Sequence, residues 1–391
     1  MNGPRGRRLL MIEQGGRGGV ADYTAELTRA LVGQGWSVTL ATADDHRYAS
    51  IEGVSVAPVF HYVREHTRIG GELRRRGLGR IANGVCFLLA LPRLTRLAAR
   101  ADIVHTQGWE IPQIGLLAIA CLRMTGTPVV QTSHNAFERS RTFVRTRKLV
   151  RRLTARLTAR TIVHAQADLA LVAPEVREQA VVIPHGEYGG LARSGGSAER
   201  PAARAALGIA AEAHVTLMFG QLRLDKGLGD LVEAARRVPS LHLLIGGQDA
   251  GGLAAVRPSL EGPELRTRVT VREGFLEMSE AAELFAAADT VALPYRAASQ
   301  SGVLLLAYGF ARPVVVYPAG GLVEFVLDGE TGWICSAADV DALARALAAS
   351  VEAGPHECLR RGEAGRELAQ ERFAWPVIAE RTSRLYSEVL A

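Results

Sequence analysis

The chain has 391 residues, 48% of them hydrophobic, and a formal net charge of +6. That length exceeds one ordinary core and predicts two lobes. Four cysteines, Cys86, Cys121, Cys335 and Cys358, lie far apart without a C-x-x-C pair, which argues against a cysteine zinc site or thiol redox chemistry and for a reducing compartment. The N-terminal arginines run straight into LLMIE with no cleavage pattern, so a secretory signal is not expected. The longest apolar stretches, around Val85–Leu91 and Ile114–Cys121, fall short of the roughly 18 residues of a membrane span, so a soluble, cytoplasmic protein is expected.

In chain order, RRLLMIE (7–13) reads as a strand, GGRGG (15–19) as a glycine turn, VADYTAELTRALVGQG (20–35) as a helix and WSVTLAT (36–42) as a second strand. The alternation continues through ADIVHTQG (101–108), a helix over 111–124, TPVVQTSHN (127–135), a basic helix over about 141–158 and ARTIVHAQ (159–166). Short strands are expected at ADLALV (167–172) and QAVVIPHG (179–186), and GGLARSGGSAERPAA (189–203) has the composition of a linker. A second series then runs through AHVTLMFGQL (213–222), a helix over 227–237, LHLLIGGQ (241–248), VTVREGF (269–275), a helix over 279–287 and TVALPY (290–295). An apolar helix entered through SQSG (299–302), the strand PVVVYP (313–318) and a helix over 339–351 complete it, and ERFAWPVIAERTSRLYSEVLA (371–391) is a last helix. Strands alternating with helices predict an α/β protein of two tandem Rossmann-like lobes, an N-terminal domain over 1–190 and a C-terminal one over 205–370, followed by the helix 371–391.

Charge is uneven. Residues 1–190 carry 26 basic and 15 acidic side chains, against 20 and 25 in the remainder, so the first half suits an anionic partner or surface. RSRTFVRTRKLVRRLTARLTAR (139–160) holds nine basic residues and no acid, with apolar residues between them; with ELRRRGLGR (72–80) it suits an anionic membrane surface, or it is a solvated helix face. Nucleic acid is not expected there, since aromatic residues for base stacking are sparse.

Three turns of the second half carry polar chemistry. Arg223 and Lys226 lie three apart between a strand and a helix, where two cations and helix-start amides suit a phosphate. Lys226 is one of only two lysines among 46 basic residues, and a compact ammonium is a different ligand from a guanidinium fork. Ser299, Gln300, Ser301 and Gly302 form a polar cluster where a helix begins, more than one N-cap needs, and Gly320 and Gly321 follow the next strand. In the first half, Gly16, Gly18 and Ala21 meet only the looser G-x-G-x-x-A dinucleotide spacing, with Asp44 as the ribose acid; a plain turn or a sugar or anion contact fits GGRGG as well.

The order R-x-x-K-G, a polar loop entering G-V-L-L-L-A, P-V-V, G-G-x-x-E and D-G-x-T-G, with GGRGGVADYT near the start and ERFAWPVIAERTSRLY near the end, resembles the GT-B glycosyltransferases, and among them glycosyltransferase family 4. The resemblance spans nearly the whole chain. It implies two Rossmann-like domains facing a cleft, a nucleotide-sugar donor (UDP- or GDP-linked) on the C-terminal domain, an acceptor on the N-terminal one, anomeric retention without a metal or other cofactor, and a last helix that returns to the first domain. It further implies that Arg223 and Lys226 hold the donor diphosphate, electrostatic work worth about 3–4 kcal/mol per donor. By the same resemblance His134 lies near the sugar and acceptor, Gly16, Gly18 and Gly19 face the donor phosphates, Asp22 and Tyr23 stand behind them towards the acceptor, and Glu324 is the acid of the G-G-x-x-E turn. The family's two glutamates eight apart are replaced here by Ala298 and Leu306, and its usual arginine after the strand glycine by Gln221, with Arg223 two residues on. The polar cluster at 299–302 is the expected substitute for the first glutamate. The function expected is transfer of a hexose-type sugar to a glycan, lipid-linked or small-molecule acceptor. A catalytically degenerate partner protein, or an epimerase or phosphorylase of the same fold, is the alternative.

Overall fold

The computed structural model describes residues 7–48, 50–63, 68–109, 111–134, 144–194, 199–298 and 300–391. The chain divides into two compact units, Met1–Gly186 with Trp375–Ala391, and Glu187–Ala374.

In the first unit the elements are β1 (Arg8–Ile12), α1 (Gly19–Gly33), β2 (Ser37–Ala43), β3 (Val54–Phe60), α2 (Arg68–Arg75), α3 (Gly79–Ala98), β4 (Ile103–Thr106), α4 (Pro112–Arg123), β5 (Val129–Thr132), α5 (Val144–Leu157), β6 (Arg160–Val163), α6 (Gln166–Leu171), α7 (Pro174–Arg177) and β7 (Ala180–Val182). All seven strands are parallel in the order β3-β2-β1-β4-β5-β6-β7, with Leu9 of β1 opposite Ile103 of β4. Alternation along β1 sends Leu9 and Met11 to one face, where Leu27 and Leu31 of α1 cover them, and Leu10 and Ile12 to the other, against Phe87 and Leu94 of α3 and Ile119 of α4. The chain's last helix also packs on α1, burying Ile378, Leu385 and Tyr386, with the Trp36 indole donating to Ser383 Oγ at 2.8 Å.

The second unit holds α8 (Gly189–Ser194), α9 (Arg200–Leu207), β8 (His214–Phe219), α10 (Leu228–Arg236), β9 (Leu241–Gly247), α11 (Gly252–Leu260), β10 (Val269–Glu273), α12 (Met278–Ala287), β11 (Thr290–Leu293), α13 (Gly302–Gly309), β12 (Val314–Val316), β13 (Gly332–Ile334) and α14 (Val340–Arg372), the last broken at Gly354; α15 (Trp375–Leu390) belongs to the first unit. Its six parallel strands run β10-β9-β8-β11-β12-β13. In both sheets the first strand sits beside the second on one side and the fourth on the other, so the connections diverge there, and loops leaving those strand ends frame a crevice.

Three expectations are corrected. The segment 189–203 is not a free linker: α8 lies against Gly309 of α13, and α9 is pinned by buried Arg204, whose guanidinium donates to Asp289 at 2.7 Å. Of the expected strand 167–172, residues 167–171 are helical rather than extended, because the Asp168 carboxylate accepts the amides of His164 (3.3 Å) and Ala165 (3.1 Å) and caps α6. Ile81–Ala98 lies within one continuous helix, long and apolar enough by length and composition to cross a membrane, where the sequence showed only short apolar runs.

Candidate active site

In the first unit the glycine turn leaves the carboxyl end of β1. Glu13 follows that strand, is 5% exposed, and accepts from the amides of Gly15 (2.8 Å) and Gly16 (2.6 Å) and from the hydroxyls of Tyr48 (2.8 Å) and Thr42 (3.3 Å). A buried carboxylate with this many donors fixes the start of the turn. Gly18 caps α1 and Gly19 opens it, leaving first-turn amides at the strand end. Arg17 is drawn aside to the Asp45 carbonyl and carboxylate. Asp44, the alternative ribose acid, pairs with His61 at 2.8 Å.

Asp22 and Tyr23 part company. Asp22 is exposed in the first turn of α1, whereas Tyr23 is fully buried, its ring edge-on to His134 (4.9 Å), His185 (4.7 Å) and Trp375 (5.2 Å). The structure therefore places Tyr23 beneath His134, not at the surface where an acceptor contact was expected.

His134 follows β5, half-buried, and belongs to a cluster the sequence reading missed. His105 of β4, His134, His164 after β6 and His185 after β7 come from four neighbouring strands, and His134 and His164 ring centres are 5.2 Å apart. Their tautomers follow from their partners. His164 Nδ1 lies 3.0 Å from the Ile183 carbonyl and must carry the proton, so its Nε2 accepts from His134 Nδ1 at 3.3 Å. The lone pair of His134 is thereby left on Nε2, 2.9 Å from Gln107 Oε1, and a half-turn of that amide lets it donate there. Burial holds all four histidines below the ordinary range: His105 and His185 to about 3, His164 to about 4, and His134 well down, with the neighbouring His164, His185 and His105 adding to burial. The rings are neutral at pH 7. Among the described residues no group of three or more His, Cys, Asp or Glu, this cluster included, is placed to hold a metal ion. A signal for the cluster was present in IVH and IPH, each ending a strand as TSHN does.

In the second unit three loops meet at the carboxyl ends of β8, β11 and β12. Gly227 has a φ of +71°, and a Cβ there would lie 2.1 Å from the Pro294 carbonyl, so the 220–227 turn rests directly on the segment after β11. Gly320, φ +52°, touches the Ala298 carbonyl in the same way, 1.9 Å from a Cβ position, and the Gly321 amide donates to that oxygen at 3.0 Å. Side chains could not replace either glycine without moving a loop. Lys226 Nζ sits 3.5 Å above the ring of buried Tyr295, which lies between these loops and interacts with both Ser301 and Arg223. Arg223 is gripped by Asp225 through two 2.8 Å hydrogen bonds and reaches Gln221 at 3.4 Å.

The polar cluster divides its labour. Ser301 is buried and caps α13, accepting the Leu304 amide at 3.4 Å. Gln300 Oε1 is buried with no hydrogen-bond partner, an acceptor that a ligand hydroxyl would satisfy. Gly302 opens the helix, and Ser299 lies outside the described residues. Ala298 and Leu306 are buried apolar side chains, so no carboxylate occupies either position. Glu324 is exposed at the end of the short turn of helix Gly320–Glu324. Arg223, Lys226, Gln300, Ser301, Gly302, Gly320 and Gly321 are thus assembled on one sheet edge of one unit. Tyr295 and Asp225, which position the two cations, were not foreseen.

Two family descriptions match in tandem, Glycosyltransferase Family 4 over residues 17–186 and Glycosyl transferases group 1 over 213–353. The chain belongs to the GT-B glycosyltransferases, in family 4. Their two-domain fold recurs in HepE of Anabaena, solved in complex with UDP, at TM-score 0.75 and 18% identity, covering 98% of this chain and 100% of that one. It recurs in sucrose-phosphate synthase from Thermosynechococcus elongatus at TM-score 0.76 and 21% identity, covering 98% and 99%. By sequence, this family 4 chain is 28% identical over 295 residues to the D-inositol 3-phosphate glycosyltransferase of Mycobacterium tuberculosis, a match that spans 70% of this chain and 59% of that relative.

Proposed function

We propose that the chain is a retaining, metal- and cofactor-independent glycosyltransferase that moves a hexose-type sugar from a UDP- or GDP-sugar to a glycan, lipid-linked or small-molecule acceptor on the cytoplasmic side of a membrane. The observation that carries it is the placement of Arg223 and Lys226 on one loop and the unsatisfied Gln300 Oε1 on the next, the two loops interlocked at Gly227 and Pro294. Transfer breaks the bond from the anomeric carbon to the donor diphosphate, forms one from that carbon to the acceptor oxygen, and passes the acceptor's proton to the departing phosphate. Negative charge grows on that phosphate, and the two cations held at the 220–227 turn stabilise it. Asp225 holds the Arg223 fork until the diphosphate competes for it. Gln300 accepts a sugar hydroxyl where the family's carboxylate is missing, and His134, its Nε2 held by the Gln107 amide, stands on the acceptor side. UDP is the favoured nucleotide, since the structurally similar HepE was captured with UDP and with UDP-glucose. The basic stretch 139–160, of which 139–143 lie outside the described residues, is the proposed contact with anionic lipid.

A thermal-shift panel of UDP, GDP, ADP and dTDP tests this. A nucleotide at 100 times its Kd adds about 2.7 kcal/mol of stability, and the shift should vanish in Lys226→Ala. If no nucleotide stabilises the wild type, the degenerate partner reading, favoured by buried Ala298 and Leu306, replaces this one. Nucleotide release that needs no acceptor would instead indicate an epimerase or phosphorylase.

A further inference from the structure

Helix α3 is apolar on two opposite sides. At 3.6 residues per turn, Phe87, Ala90, Leu94 and Ala98 share an arc of about 80°. These side chains are at most 4% exposed and belong to the core of the first unit. On the reverse side Leu78, Ile81, Val85, Leu88 and Leu89 fall within about 100° of arc. All five are between 42% and 74% exposed. An amphipathic helix covering a core would carry polar residues there, so this second stripe is unexplained by folding.

Its surroundings are strongly basic. Between Leu73 and Arg100 the sequence holds seven arginines and no Asp or Glu. Exposed Arg93, Arg96 and Arg100 continue the face one turn beyond the stripe, and exposed Arg75 and Arg76, at the end of α2 and just after it and both paired with the single carboxylate of Glu72, stand before it. A linear apolar stripe about 16 Å long, bordered by arginines at both ends, matches the boundary between acyl chains and anionic headgroups. Although α3 is long and apolar enough to span a bilayer, it is not free to do so, because withdrawing Phe87, Ala90, Leu94 and Ala98 from the sheet would open the core of the unit. The helix lies flat.

We propose that α3 is a membrane-docking element, seating its outer stripe in the interface of an anionic bilayer while its inner face stays in the fold. This is independent of the transfer chemistry and of the basic stretch 139–160. The test is co-sedimentation of the full chain with phosphatidylcholine vesicles, with and without phosphatidylglycerol. Wild type should bind the anionic vesicles, and binding should fall at least about tenfold in Ile81→Ser/Val85→Ser/Leu89→Ser, a change at exposed positions. As a check that needs no variant, hydrogen exchange in wild type should slow over 79–98 when anionic vesicles are added. The proposal is overturned if wild type binds neither vesicle, if the triple variant binds as well as wild type, or if protection falls only elsewhere. It is equally overturned if Arg151→Ser/Arg152→Ser in α5 abolishes binding while the triple variant does not. A wild type that is dimeric without lipid and becomes monomeric in the triple variant would make the stripe an interface between copies of the chain.

Discussion

Acidification should unfold the first unit before the second. His105, His164 and His185 have pKa values lowered to about 3, 4 and 3 by burial, against an ordinary value near 6.5. A base whose pKa is depressed in the folded chain takes up its proton first in the unfolded chain. Stability is therefore full above about pH 6.5, begins to fall there, and stops falling only once the folded pKa values are passed. In that window each histidine costs about 1.4 kcal/mol per pH unit. From pH 7 to pH 5 this amounts to roughly 2 kcal/mol each, or about 6 kcal/mol for the three, as much as the whole stability of a marginal domain. His134 acts in the same direction. In the second unit only His214 is lowered as far, to about 4, with His242 displaced less. Scanning calorimetry across this range should show one transition moving down much faster than the other. His185→Asn, which keeps a donor near the Gly186 carbonyl, should remove one histidine's share of the slope. Stability that stays level between pH 6.5 and 5, with no proton uptake on unfolding, would show that the histidines are already charged in the fold and would refute the argument.

Gly227→Ala should cost about 1–3 kcal/mol by forcing a side chain into the left-handed region against Pro294, and should weaken nucleotide binding in the same thermal-shift assay. Ser301→Ala and Gln300→Ala should behave differently: the first loses about 1 kcal/mol as α13 loses its cap, read by denaturant unfolding, whereas the second leaves stability unchanged and raises donor KM. Unchanged KM and kcat in both would remove the cluster from the donor site. Glu13→Gln should lose about 1.5–3 kcal/mol of charge-assisted hydrogen bonding to the glycine turn, lowering the melting temperature of the first unit and reducing kcat/KM.

Much of this protein was legible in the residues alone. β-branched runs alternating with helical spacing established two parallel α/β halves, and the motifs from Arg223 to Glu324 established the family. Local composition misled where a distant partner decided the outcome: glycine, serine and proline in 189–203 suggested a linker, but Arg204 finds Asp289, 85 positions away, and the described parts of the segment, 189–194 and 200–203, are helical. The SQSG cluster could be located but not divided, since only packing shows Ser301 spent on a cap and Gln300 left with an open acceptor. The histidine cluster and the outer stripe of α3 were decided by tertiary structure. Four histidines far apart in sequence meet because parallel strands align their carboxyl ends, and a helix apolar on two sides reveals which is surplus only after the sheet has taken the other.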